Sequence, residues 1–201
     1  MTIIIIAITC LVSIMAFSRP ELVEKLQFNA SKIVHQREYF RLISHGFVHA
    51  NWEHLLVNMI VLYSFGQAIE MYFSVFGRMA NAYFLMLYFG GMLASNLYAL
   101  IKHRNNFYYN AVGASGAVSA ILFAAIFFDP WDSIYFFGII PIPGIAFALL
   151  YLIYSYYMSR KQKDNIAHDA HFLGALFGFI FPILINYNYF QIFLDKLFRV
   201  I

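Results

Sequence analysis

Four polar side chains stand in otherwise apolar stretches, and these are the groups whose types and spacing could do chemistry. Ser115 lies in Gly113-Ala114-Ser115-Gly116, opening an apolar run that stops at Asp129-Pro130. His171 sits one turn into the run beginning at His168 and is followed by Gly174 and Gly178. His54 and Asn58 are four residues apart, so on a helix they share one face. A hydroxyl beside an imidazole pairs a nucleophile with its general base. An imidazole and an amide on a neighbouring face are donors of the kind that stabilise an oxyanion. Taken singly, each has a plainer reading: a glycine-flanked serine serves packing, and an isolated histidine or asparagine bonds one helix to another.

The elements that must position these groups follow from composition. Of 201 residues, 62% are hydrophobic and 11% charged, against about 25% charged in soluble domains, so lipid is the solvent for most of the chain. A helix needs about 20 apolar residues to cross a hydrocarbon core near 30 Å thick. The runs Ile3 to Phe17, Glu53 to Phe73, Met79 to Ile101, Ala114 to Phe128, Ile134 to Met158 and His168 to Tyr187 are the candidate spans. The first has no basic region before it and no small-residue cleavage site after it, so it reads as a span and not as a cleaved signal. The expected fold is all-α: a polytopic membrane bundle of six transmembrane helices in one domain, residues 1–201. Ser18 to Trp52 mixes charges with apolar residues and reads as a long interfacial loop after the first helix. In 190–201, Phe190, Phe193, Leu194, Leu197, Phe198 and Ile201 alternate at helical spacing with Gln191, Asp195, Lys196 and Arg199. That pattern predicts an amphipathic tail on the membrane surface.

Several function classes fall away. The net charge of +3 comes without the basic stripe that nucleic acid requires. Cys10 is alone, which excludes an internal disulfide and a cluster of thiolate ligands. His45 with His49, and His168 with His171, have helical spacing suited to metal ligands, but no H-E-x-x-H or carboxylate cluster joins them, so neither metal nor cofactor is expected. No inverted repeat or pair of broken helices suggests a transporter.

Polar groups at membrane depth are costly and by default functional. Ser115 to Phe128 covers about 21 Å at 1.5 Å per residue, which leaves Ser115 about 10 Å below the surface. The segment above it, Asn105 to Gly113, is non-helical in composition and must line a protein-covered or water-filled pocket. Gly113, Gly116, Ser119 and Ala120 form a small-residue face on this span, and Gly174 with Gly178 form another on the last, so the two helices can approach closely. That contact would bring Ser115 within reach of His171. Asp169 faces away from His171, and Glu53 and Glu70 lie near the ends of the second span, so the pair is a dyad without an acidic third member. Glu70 reads as fixing a loop at the membrane edge.

At these residues the sequence resembles the rhomboid intramembrane serine proteases. Glu38-Tyr39-Phe40-Arg41-Leu42 resembles the family's E-x-W-R loop motif, followed in order by His49, His54-Leu55-Leu56-Val57-Asn58 as H-x-x-x-N, and Glu70. Gly113-Ala114-Ser115-Gly116 matches G-x-S-G, and Ala170-His171 through Gly174 and Gly178 matches A-H-x-x-G-x-x-x-G. The resemblance covers Glu38 to Gly178 and is similar in layout to the minimal bacterial form, which implies a multi-pass protein of the bacterial inner (plasma) membrane. It implies cleavage of transmembrane or juxtamembrane segments of membrane proteins, with Ser115 as nucleophile, His171 as base, and His54 with Asn58 at the oxyanion hole. Lateral substrate access past the fifth span is also implied; Pro141 and Pro143 bar a regular helix there. The alternative reading is a catalytically silent rhomboid-like protein that binds membrane clients.

Three positions depart from the pattern. Tyr39 or Phe40 replaces the loop tryptophan. Ser119 stands where the family often has an aromatic ring against the catalytic histidine, so another group must hold His171. Charge is the third departure. Arg19, Lys25, Lys32, Arg37, Arg41, Lys102, Arg104, Arg160, Lys161 and Lys163 fall on one side of the membrane, against Arg78, Lys196 and Arg199 on the other. The positive-inside rule makes the richer side cytoplasmic and puts both chain ends outside. The resemblance implies the reverse, and we adopt the family orientation because the basic first loop can lie in the interface.

Overall fold

The computed structural model describes residues 1–136, 138–161 and 167–198. Lys163, Arg199 and Ile201, which entered the charge count and the tail pattern above, lie outside the described residues.

Helix α1 (Thr2–Phe17) leads into three short helices, α2 (Pro20–Leu26), α3 (Ala30–Gln36) and α4 (Arg41–Ser44), and a 3-10 turn at His45–Phe47. Pro20 opens α2, where a missing N–H costs nothing. Asn29 caps α3 by accepting from Lys32 N at 2.8 Å. Arg41 is buried and staples the segment: it pairs with Glu38, and its Nη1 donates to Glu24 O at 2.8 Å and Gln27 O at 2.9 Å. The E-x-x-R motif is therefore a brace for this loop.

Asn51 caps α5 (Trp52–Phe73), its side-chain oxygen accepting from His54 N at 2.8 Å. Gly77, with φ +53°, makes the turn into α6 (Ala80–Lys102). Glu70 accepts from Thr2 N at 2.9 Å. It therefore anchors the start of α1, which corrects the expectation that it holds a loop.

Helix α7 (Ser115–Phe128) is the centre of the bundle, flanked by α5, α6, α8 (Gly144–Lys161) and α9 (His168–Ile185). Every residue from Gly116 to Phe127 is buried. The last helix, α10 (Asn188–Phe198), closes one end: Phe193 stacks on Phe127 at 4.9 Å, and Trp131 Nε1 donates to Leu197 O at 3.1 Å. The tail is thus packed against the bundle as well as amphipathic.

The bundle is helical as expected, but the fifth expected span, Ile134 to Met158, is not helix from its start. Ser133–Phe136 and Ile140–Pro143 pair as antiparallel strands β1 and β2, and helix begins only at Gly144. Pro141 and Pro143 have no N–H for a helical ladder, and Gly138 supplies the positive φ of +73° in the turn. The boundaries of the other five expected spans agree to within two residues, as cap assignment allows.

Polarity is inverted relative to a water-soluble domain. Leu11, Leu56, Val57, Ile60 and Ile153 are more than half exposed, whereas Asn58, Asn96 and Ser119 are exposed by 5% or less. Water penalises an apolar exterior of this extent; lipid favours it. By length and composition, the helical stretch Trp52–Lys102 and helix His168–Ile185 suffice to cross a membrane, while Thr2–Phe17 and Ser115–Phe128 are apolar but shorter.

Candidate active site

The contact of α7 with α9 sets the site. A Cβ on Gly174 would strike the Gly116 backbone, 2.9 Å from its carbonyl carbon and 3.0 Å from its Cα. One turn further on, a Cβ on Gly178 would lie 2.5 Å from Ala120 Cα. Residues 116 and 120 thus meet 174 and 178 in step, and the two helices run parallel with backbones touching. Ser115 precedes the first contact by one residue, and His171 precedes it by three, so both project from the same end of one seam. Both are half-buried. The small-residue face of α7 is divided among neighbours: Gly116 also faces Ser95 and Ala120 faces Gly91 of α6, Ser119 meets α8, and Gly113 lies before the helix and meets α5.

Gly113 has φ +108°, and a Cβ there would sit 2.5 Å from His54 Cε1 and 2.8 Å from its Nε2. The His54 ring therefore lies directly on the loop that delivers Ser115. Asn58 is buried, and its Nδ2 donates to His54 O at 2.8 Å. It braces the turn that presents His54, and no contact among the described residues places its amide at the Ser115 loop.

Two histidines of the α4–α5 region hold that loop from behind. Gly113 N donates to His45 O at 2.9 Å, and Ala114 N to His49 Nε2 at 3.4 Å. Since His49 Nε2 accepts, Nδ1 carries the proton and donates to Ser13 Oγ at 2.9 Å; that hydroxyl in turn donates to Phe47 O at 2.9 Å. Asn96 Nδ2 donates to Met92 O at 2.8 Å and to His45 Nε2 at 2.7 Å. Each ring is neutral in this network. The Phe28–Ala111 bridge and Asn29 Nδ2 donating to Phe107 O at 2.9 Å secure the rest of the loop.

Burial lowers His45 to about 4, and burial followed by the neighbouring His54 and His45 lowers His49 to about 3. Both values lie below the roughly 6.5 of an unfolded histidine, so the folded state binds fewer protons than the unfolded state. Stability from these two groups is complete above about pH 6.5 and is lost as pH falls through the window toward 4. In detergent, Tm should be level above about pH 7 and drop across that window. A Tm that is flat down to pH 4 would mean that the two rings are not buried neutral.

Ser119 brings no aromatic ring to His171, and nothing in the sequence marks the residue that replaces it. The structure supplies Tyr151 of α8, whose ring stacks with His171 at 6.4 Å between centroids and 21° between planes, and whose hydroxyl pairs with Ser119 Oγ at 2.7 Å. Tyr151 is one of several tyrosines on α8, and no local signal distinguishes it. His45 and Asn96 were likewise not assigned to the site, because their partners lie far off in sequence.

Helix packing and this buried polar cluster define a helical membrane bundle with a serine, presented at a helix start, as its candidate reactive group. Residues 36–188 match the family model described as the Rhomboid domain. The chain is 30% identical to RHOMBOID-like protein 12, mitochondrial, of Arabidopsis thaliana over 67% of its length and 43% of that protein's. It is 33% identical to RHOMBOID-like protein 1 of the same plant, over 81% of this chain and 40% of the relative. It is 27% identical to Rhomboid-related protein 1 of Caenorhabditis elegans, over 82% and 45%. The chain belongs to the rhomboid family and is a membrane protein. It spans less than half the length of these relatives.

Proposed function

We propose that this protein is an intramembrane serine protease acting on transmembrane or juxtamembrane segments of membrane proteins, with six membrane-crossing helices, α1 and α5 to α9. The observation that supports the reading is the α7–α9 seam, from the same end of which Ser115 and His171 both extend, beside the His54-packed loop. In the proposed reaction, Ser115 Oγ attacks the scissile carbonyl while His171 accepts its proton and then passes it to the leaving amine. The oxyanion is stabilised by His54 and by backbone N–H groups at the start of α7. Asn58, with one amide proton committed to His54 O, assists with its other proton or through His54. Water then hydrolyses the acyl-enzyme, with His171 as base.

Substrate access past α8 is supported by the shallow embedding of that helix, in which only Gly144, Ala148 and Ser155 are buried. The test needs no known substrate. The protein in mild detergent is treated with a fluorophosphonate, and intact mass is compared between wild type and Ser115→Ala. We expect one adduct on wild type and none on the variant. No adduct on folded wild type, or an adduct that persists in Ser115→Ala, would discard the mechanism in favour of a silent client-binding protein.

A further inference from the structure

We infer that Tyr151, anchored by Ser119, is the positioning residue for His171, and that the base is thereby held by α8 and not by the helix that carries the nucleophile. The inference rests on the protease reading above. Ser115 and Ser119 are four residues apart and share one face of α7. The Ser119 hydroxyl, one turn deeper than Ser115, ties down the Tyr151 hydroxyl at 2.7 Å. That bond fixes the phenol ring beside the imidazole of His171, nearly parallel to it, with 6.4 Å between centroids. Phe123 and Phe147, with ring centroids 5.4 and 5.8 Å from Tyr151, pack around the ring and limit its rotation. An imidazole on a helix has two free side-chain torsions, and a near-parallel ring beside it narrows the rotamers open to the base.

The arrangement couples two parts of the molecule. Helix α7 is buried along its length, whereas α8 buries three residues. The Ser119–Tyr151 bond is a polar tie between this loosely seated helix and the core. Displacement of α8 would carry the ring away from His171, so the base is correctly set only when α8 is seated.

Fluorophosphonate labelling rate, followed from pH 5 to 9, reads the base without a substrate. Tyr151→Phe keeps the ring and removes the tie, and Ser119→Ala removes the same tie from the other end. Each should slow labelling about fivefold, as loss of one hydrogen bond allows, and the double variant should be no slower than either single variant. Tyr151→Leu removes the ring and should slow labelling about a hundredfold, with the acid limb of the profile displaced. Multiplicative losses in the double variant would overturn the inference, as would a Tyr151→Leu profile with the wild-type limb and rate. If Tyr151→Leu does not fold, the Phe and Ala pair decides alone. Wild type that never labels would sink the protease reading itself. Labelled wild type with indifferent Tyr151 and Ser119 variants sinks only this inference.

Discussion

Turnover of a transmembrane reporter in proteoliposomes should fall by about 10⁴-fold or more when His171 is replaced by alanine. A serine hydroxyl is a weak nucleophile without a base to take its proton. The sequence around the seam offers no substitute: Asp169 is two residues away on α9, at a spacing that turns it from His171. The fluorophosphonate adduct should vanish with turnover, because both depend on the same activated oxygen. His54→Ala makes the informative contrast. That ring lies on the Gly113 loop; in the proposed role as donor to the oxyanion, its loss should cost about 10² to 10³ in kcat, roughly 2.7 to 4 kcal/mol, while Ser115 still labels. Equal losses in the two variants would place His54 in the activation of the serine. A His171→Ala protein that retains turnover within tenfold of wild type would remove the dyad.

Gly178→Ala should be the most damaging small substitution in the bundle. Its Cβ would fall 2.5 Å from Ala120 Cα and 2.6 Å from the Ala120 carbonyl carbon, and backbone atoms cannot swing aside as a flexible side chain can. The seam must open by more than an ångström or the helices must slide. Overpacking of this kind costs about 1 to 3 kcal/mol, which in a chain of this size lowers Tm by about 2 to 12 °C. Because Ser115 and His171 project from the same seam, labelling should weaken in parallel. Leu176→Ala, on the outward face of the same helix, should leave both unchanged. A Gly178→Ala protein with wild-type Tm would show that α7 and α9 do not touch along this line.

Legibility in the sequence followed the range of the interaction. Apolar runs, the Asp129-Pro130 stop and the glycine spacing on α9 are local, and α7 begins and ends within one residue of its expectation because its boundaries depend on adjacent residues. The β1–β2 hairpin was half legible: Pro141 and Pro143 forbid helix, but prolines do not announce which strand they will face. Glu70 was placed near a membrane edge, yet its partner, Thr2 N, is 68 residues away.

The sequence by itself determined a membrane bundle, the candidate nucleophile and base, and the small faces that let their helices meet, since each follows from periodicity or from the cost of a polar group in lipid. Only the tertiary structure decided what surrounds them. His45 and His49 bracing the Ser115 loop, Asn58 turned to its own helix, and Tyr151 in place of a ring at position 119 are contacts between elements. Such contacts are set by how helices cross and which backbones touch, and one-dimensional spacing does not encode that geometry.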